Sequence, residues 1–373
     1  MRVLFAIAHV DKGGGQAIQS RQLVERLSRR VDGEFLALSS TGNSADTLGA
    51  DVHIVGRLRF PGGILDLKHA IAARRKEVDL VQALDSYYAL PGARLARAHP
   101  LVLRSGAHPI EDLGSRYGAL GRMAMRSVNP WLLSGTTVVI NAEHLRAPYG
   151  PRNVVCIPNG VDTARFRAAP DREAARATLG LPSDRPVIAF TGKIIPRKNV
   201  EDLYWLAREI PSAHLLLAGN DREPYYGDRY HRTVREAFPD VLPRVHLTGE
   251  VAAERIPTVL AAADLFVFPS RLEGMPNSVL EAMAAALPVV ASDSPAHREL
   301  LTDGIGRLYR TREELAETVR QLLAEPETAR AVGARARRVV EQTHSLDAAA
   351  DRYLSLYSAL LGESDRVPGV ASP

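Results

Sequence analysis

The chain has 373 residues, of which 46% are hydrophobic and 24% charged, with a net charge of +4. That length is enough for two cores of ordinary size, and no apolar run is long enough to span a membrane. Cys156 is the only cysteine, which excludes a disulfide framework and a cysteine-based metal site and fits a reducing cytoplasm. The charge is uneven: residues 1–165 carry +7 and residues 166–373 carry −3. A basic first half suits an anionic ligand or membrane surface; it is equally what a solvated, arginine-rich surface gives.

The predicted elements alternate from the first residue. Residues 2–8 read as a buried strand rather than a leader peptide, because the apolar run is short, lacks a cleavage site and enters a glycine-rich loop. Residues 16–30 read as a helix with Ile18, Leu23 and Leu27 on one side. Strands follow at 34–38, 52–55, 80–83, 101–103, 137–140 and 154–157. The turn cluster Pro158-Asn159-Gly160-Val161-Asp162 then closes the series, and the pattern restarts with strands at 187–190, 214–217, 244–247, 265–268 and 289–292. Helices are expected at about 313–324, 327–342 and 347–361, then a polar tail over 362–373. The fold class is α/β: two Rossmann-like, doubly wound parallel sheets in tandem. The boundaries expected are 1–163 for the first domain, with the last helix packing back on it, and 164–346 for the second.

The densest chemical signal is Pro269-Ser270-Arg271-Leu272-Glu273-Gly274-Met275-Pro276-Asn277-Ser278-Val279-Leu280-Glu281. It puts Glu273 on a loop at the C-terminal end of a strand and Glu281 in the second turn of the next helix. Ligands of open α/β sheets bind at that edge, and the helix N-terminus between the two carboxylates offers N–H groups to a phosphate. Two hydroxyl-binding carboxylates around a phosphate describe a nucleotide sugar. A purely structural alternative is a capping box, Ser278 to Glu281, with Gly274 and Pro276 only shaping a turn.

Other motifs lie at the same kind of edge. Gly13-Gly14-Gly15 opens the first helix but is not a dinucleotide fingerprint, since Ile18 stands where the third glycine belongs. Gly192-Lys193 with Lys198 lacks the ending of a P-loop, yet places two cations where a leaving diphosphate needs neutralising. Gly219 and Gly249 end strands and are expected to shape a base pocket through backbone contacts. In the first half, His108 is a candidate catalytic group, and Gly14, Gln16, Asp85, Tyr87 and Tyr88 are candidates for the acceptor side. A structural histidine and packing tyrosines are the plain alternatives. There is no Asp-x-Asp in the chain, so no metal and no cofactor are expected.

Together these residues resemble the retaining GT-B glycosyltransferases of family 4 (group 1). The resemblance covers nearly the whole chain and is carried by Glu273-x7-Glu281, Ile157 to Asp162, the Gly192/Lys193/Lys198 loop, the 13–15 glycines and Glu299 with Asp303-Gly304. It implies two facing domains with a cleft between them. Glu281 would bind ribose hydroxyls and Glu273 the donor sugar. Backbone groups at Gly15, Gly274, Met275, Asn277 and Ser278 would hold sugar and phosphate oxygens, and Lys193 and Lys198 the diphosphate. Two departures stand out: lysine at 193 where the family often has arginine, and alanine at 286 where it often has glycine.

The function expected is transfer of a sugar, with retention, from a nucleotide diphosphate sugar to an acceptor hydroxyl. UDP is expected on family frequency, with GDP and ADP as alternatives. The acceptor is a small molecule or a lipid-linked group. Nucleic acid is not expected as a partner. Met123, Met125, Trp131 and Leu132 in the segment 117–133 suit peripheral contact at the inner membrane face, or simply a core helix. Rival readings are an epimerase or phosphorylase on the same architecture, or a non-catalytic nucleotide-sugar-binding subunit.

Overall fold

The computed structural model describes residues 1–8, 15–39, 52–85, 88–106, 118–119, 123, 126–149, 153–220 and 228–362; for 15–17 and 39 only the backbone is described. The chain forms two compact units, residues 1–160 with 346–373, and residues 161–345.

Unit one is a seven-stranded sheet of β1 (Arg2–Ile7), β2 (Asp32–Ser39), β3 (Val52–Arg57), β4 (Leu80–Ala83), β5 (Leu101–Ser105), β6 (Thr136–Ile140) and β7 (Val154–Cys156). Its order is β3-β2-β1-β4-β5-β6-β7, and every pair is parallel. Parallel strands covered on both faces are apolar throughout, and β4, β5 and β6 are buried along their whole length. Helices α1 (Gly15–Ser28), α2 (Gly62–Arg74), α3 (Ala89–Leu95) and α4 (residues 126–133) cross between strands. Leu67 and Ile71 of α2, Leu90 and Ala93 of α3, and Leu132 and Leu133 of α4 fill one face of the sheet.

Unit two has six parallel strands: β8 (Val187–Thr191), β9 (His214–Ala218), β10 (Val245–Gly249), β11 (Leu265–Phe268), β12 (Val289–Ser292) and β13 (Arg307–Tyr309). Their order is β10-β9-β8-β11-β12-β13. The strand order reverses between β8 and β11, the switch point at which ligands of such sheets bind. The three-residue β13 was not expected from the sequence; Arg307-Leu308-Tyr309 carries no apolar run. Helices here are α5 (Thr163–Arg167), α6 (Arg172–Leu179), α7 (Glu201–Glu209), α8 (Arg229–Ala237), α9 (Ile256–Ala261), α10 (Asn277–Ala284), α11 (Pro295–Leu300), α12 (Arg312–Ala324) and α13 (Pro326–Thr343).

The last helix, α14 (Leu346–Leu360), belongs to unit one. Its Tyr353, Leu356 and Tyr357 share a buried layer with Leu23, Val24 and Leu27 of α1. Of the expected tail, residues 363–373 lie outside the described set.

Ala286, after the last turn of α10, has φ +58°. A β-carbon in that region costs about 1 kcal/mol, which glycine avoids at some expense in chain entropy. The carbonyl of the same residue lies only 2.0 Å from where a β-carbon on Gly333 of α13 would stand. Ala286→Gly is therefore expected to raise stability by about 0.5 kcal/mol and Gly333→Ala to lower it by about 1–3 kcal/mol, both measured by urea unfolding.

Candidate functional site

The switch point of unit two is built from two turns. One follows β8 and runs from Gly192 through a 3₁₀ turn at Pro196–Lys198; the other follows β11 and runs from Pro269 to Pro276. Because β8 and β11 are neighbours, side chains far apart in sequence meet. The Nζ of Lys198 donates to Oε1 of Glu273 at 2.7 Å, with the two side chains only 11% and 10% exposed. The ammonium also stands 4.7 Å from the centroid of the Phe268 ring, the last residue of β11, a cation–π contact that offsets part of its lost hydration.

Glu273 is held from other sides as well. The Ser270 hydroxyl donates to the same Oε1, and the Arg197 guanidinium lies 3.5 Å from it. Burial alone would raise this carboxyl, but Lys198 and Arg197 more than offset it and keep Glu273 below its usual range, ionised. Burial pulls the Lys198 ammonium down, and Glu273 resists that pull. The turns join along the same seam: the Arg271 backbone N–H donates to Arg197 O at 3.1 Å, and the Arg197 guanidinium donates to Leu272 O at 3.2 Å.

The helix after the second turn begins at Asn277 with Pro276 as its cap and no side-chain cap bond. Ser278 thus lies inside the helix, and the capping box considered from the sequence does not form. Glu281 is left with a different environment. Burial pushes its carboxyl up to about 7, and the nearby Arg165 of α5 partly counteracts this. Arg165 itself is fixed by donation to the Ala253 carbonyl.

The glycines have separable reasons. A β-carbon on Gly219 would stand 1.8 Å from the Gly192 carbonyl oxygen, so this glycine is needed by the neighbouring turn. Gly192 (φ +141°) and Gly249 (φ +72°) adopt backbone angles that side chains disfavour. Lys193 is exposed, Gly274 half-buried and Met275 buried. Gly192, Lys193, Lys198, Gly219, Glu273, Gly274 and Met275 therefore lie on turns at the C-terminal edge of one sheet, with Gly249 as the last residue of β10 and Asn277, Ser278 and Glu281 in the first two turns of α10.

In unit one the picture is sparser. Gly14, Tyr87 and His108 lie outside the described residues, and Gly15 and Gln16 open α1 with only their backbone described. The Asp85 carboxylate accepts from the N–H groups of Ala8 at 2.6 Å, Tyr88 at 2.7 Å and Ala89 at 3.2 Å, so it joins the end of β1 to the start of α3. Tyr88 is half-buried and packs on the unit-one core.

Sequence reasoning missed Arg197, Ser270, Phe268, Arg165 and His297. His297, fully buried, donates from Nδ1 to the Ser292 carbonyl at 2.7 Å; the Ser292 hydroxyl donates to the Ser270 carbonyl at 2.5 Å. Its imidazole also meets Phe268 edge-on. Nothing in a single histidine marks such a chain; a Ser270 hydroxyl three residues before Glu273 was the one readable hint.

Residues 171–339 match the family described as glycosyl transferases group 1. A GDP-mannose-dependent alpha-(1-6)-phosphatidylinositol monomannoside mannosyltransferase of Mycolicibacterium smegmatis is 29% identical over 304 residues, 74% of this chain and 77% of that protein. A GDP-mannose-dependent monoacylated alpha-(1-6)-phosphatidylinositol monomannoside mannosyltransferase of Corynebacterium glutamicum is 31% identical over 215 residues, 54% of this chain and 55% of that one. The matched segments thus span between about half and three quarters of these relatives. Sucrose-phosphate synthase from Thermosynechococcus elongatus superposes with a TM-score of 0.82 at 22% identity, covering 97% of this chain and all of that one, which bears on the fold. Two Rossmann-like units with a loaded switch point in the second define the GT-B architecture. Within it, residues 171–339 are similar to the group 1 glycosyltransferases.

Removing the carboxylate of a buried pair leaves an uncompensated cation. Glu273→Gln is expected to lower unfolding stability by about 3 kcal/mol, with Lys198→Met added to it recovering most of the loss, as read by urea denaturation.

Proposed function

We propose that this chain transfers a hexosyl group from a nucleotide diphosphate sugar to an acceptor hydroxyl, with retention and without a metal. The observation that carries the reading is the buried Lys198 ammonium, held on Glu273 at the sheet's switch point, beside a helix start with no side-chain cap. When the bond from the anomeric carbon to the diphosphate oxygen breaks, negative charge grows on the diphosphate. Preorganised cations and helix N–H groups stabilise that charge without reorganising. Lys198, with Lys193 and the first turn of α10, would do so here. The acceptor oxygen bonds to the anomeric carbon from the same face, and its proton passes to the departing phosphate oxygen. Glu273 faces the sugar, and Glu281 accepts from the ribose diol.

The relatives' names favour GDP-mannose over the UDP-sugar expected from family frequency. They also favour a lipid-linked acceptor. Among the described residues, no helix is long and apolar enough to cross a membrane. Around α4, Met123, Val128 and Trp131 are exposed while Leu132 and Leu133 are buried, which supports peripheral contact with a lipid surface.

The test is thermal stabilisation by GDP, UDP and ADP with and without EDTA, together with product formation from GDP-mannose. Stabilisation by GDP that survives EDTA and is lost in Glu281→Ala supports the reading. No shift with any nucleotide and no transfer overturn it.

A pH dependence follows from Glu281. A diol donates best to an ionised carboxylate, and burial pushes this carboxyl up to about 7. Nucleotide affinity should rise roughly tenfold between about pH 6 and about pH 8, by calorimetry, and the rise should vanish in Glu281→Gln.

A further inference from the structure

The residue directly after Lys198 is unusual. Asn199 is buried and has φ +50°, a left-handed conformation that asparagine tolerates better than most residues but that only glycine adopts freely. Its side chain is anchored at both ends. Nδ2 donates to Oδ2 of Asp202 at 2.7 Å, and Oδ1 accepts from Arg271 at 3.4 Å. Asp202, in the first turn of α7, is 5% exposed. It also takes the Tyr309 hydroxyl at 3.2 Å and Nε of Arg312 at 2.7 Å. One buried carboxylate therefore ties the lysine-bearing turn to the end of β13 and the start of α12. Nothing in the proposed chemistry uses it.

We propose that Asp202 and Asn199 are a positioning pair that fixes the turn so that the Lys198 ammonium is presented inward, onto Glu273 and Phe268. The catalytic part rests on reading Lys198 as the cation that meets the diphosphate; the positional part does not. Asn199→Gly is the informative variant, because glycine keeps the left-handed turn and removes only the anchor. Asp202→Asn and the double variant complete a cycle.

The first readout is the rate of amine acetylation mapped by peptide mass spectrometry, with exposed Lys193 as internal reference. Lys198 should be protected in the wild type and react at least tenfold faster in Asn199→Gly, with Lys193 unchanged. The second is steady-state transfer from GDP-mannose: a tenfold or larger loss of kcat, with donor KM within about threefold and the urea midpoint close to wild type. The double variant should lose no more than the larger single loss. Unchanged Lys198 labelling, kcat within twofold of wild type, or losses that multiply in the double variant would each overturn the proposal. A wild type that transfers nothing, alongside enhanced Lys198 labelling in Asn199→Gly, would overturn the functional reading and leave the positioning pair standing.

Discussion

The structure of the second unit turns on one buried ion pair, Lys198 with Glu273. Moving an ammonium and a carboxylate out of water is costly, and their attraction repays it only where further polar contacts complete both shells. Here they do. The ammonium has Glu273 on one side and the Phe268 ring on another, while the carboxylate gathers Ser270 and Arg197 as well. A simple structural pair could be replaced by apolar side chains at little loss. Under the function proposed here the pair has another use: the cation would already be desolvated and aimed when charge develops nearby.

Sheet order makes that pair available. β8 and β11 are separated by the whole of β9 and β10 in sequence but lie side by side in the sheet. Their turns therefore zip together, Arg197 to Arg271 and Leu272, and Lys198 to Glu273. The His297–Ser292–Ser270 chain braces this seam from the β12 side, and the Asp202 cluster braces it from the α7 side. Few of these bonds involve neighbours in sequence, so each depends on the strands being in register.

That dependence explains what was legible in the amino-acid sequence. Strands with continuous apolar runs, such as Leu265–Phe268, and the long amphipathic helices α12 to α14 are written locally, and the structure has them where they were expected. β13 is held by its pairing with β12, not by its own composition. Glu273 and Glu281 stand out through spacing alone. Whether Glu281 caps a helix or faces a site could not be read from Ser278-Val279-Leu280-Glu281, because Pro276 takes the cap position two residues earlier. Arg197 and His297 were invisible for a different reason: the partner is 76 residues away in one case and a backbone carbonyl in the other.

Unit one shows the same economy at the point where the chain leaves it. Arg104, buried at the end of β5, donates to the Ser20 hydroxyl at 3.1 Å and to Oδ1 of Asn159 at 2.8 Å. Burial pushes the nearby Tyr353 hydroxyl of α14 up to about 12, and the Arg104 charge partly opposes that rise. A guanidinium stays charged at any accessible pH, and burying it is tolerable only where acceptors surround it. Those acceptors come from α1 and from the turn before Gly160, so a single cation fixes the segment that leaves unit one to the helix after β1. On the other side of that boundary, Val161 N donates to the His344 carbonyl at 2.8 Å, tying the outgoing and returning strands of chain together. The turn Pro158-Asn159-Gly160-Val161-Asp162, read from the sequence as a turn cluster closing the first series of strands, is therefore anchored before its glycine within unit one and after it within unit two.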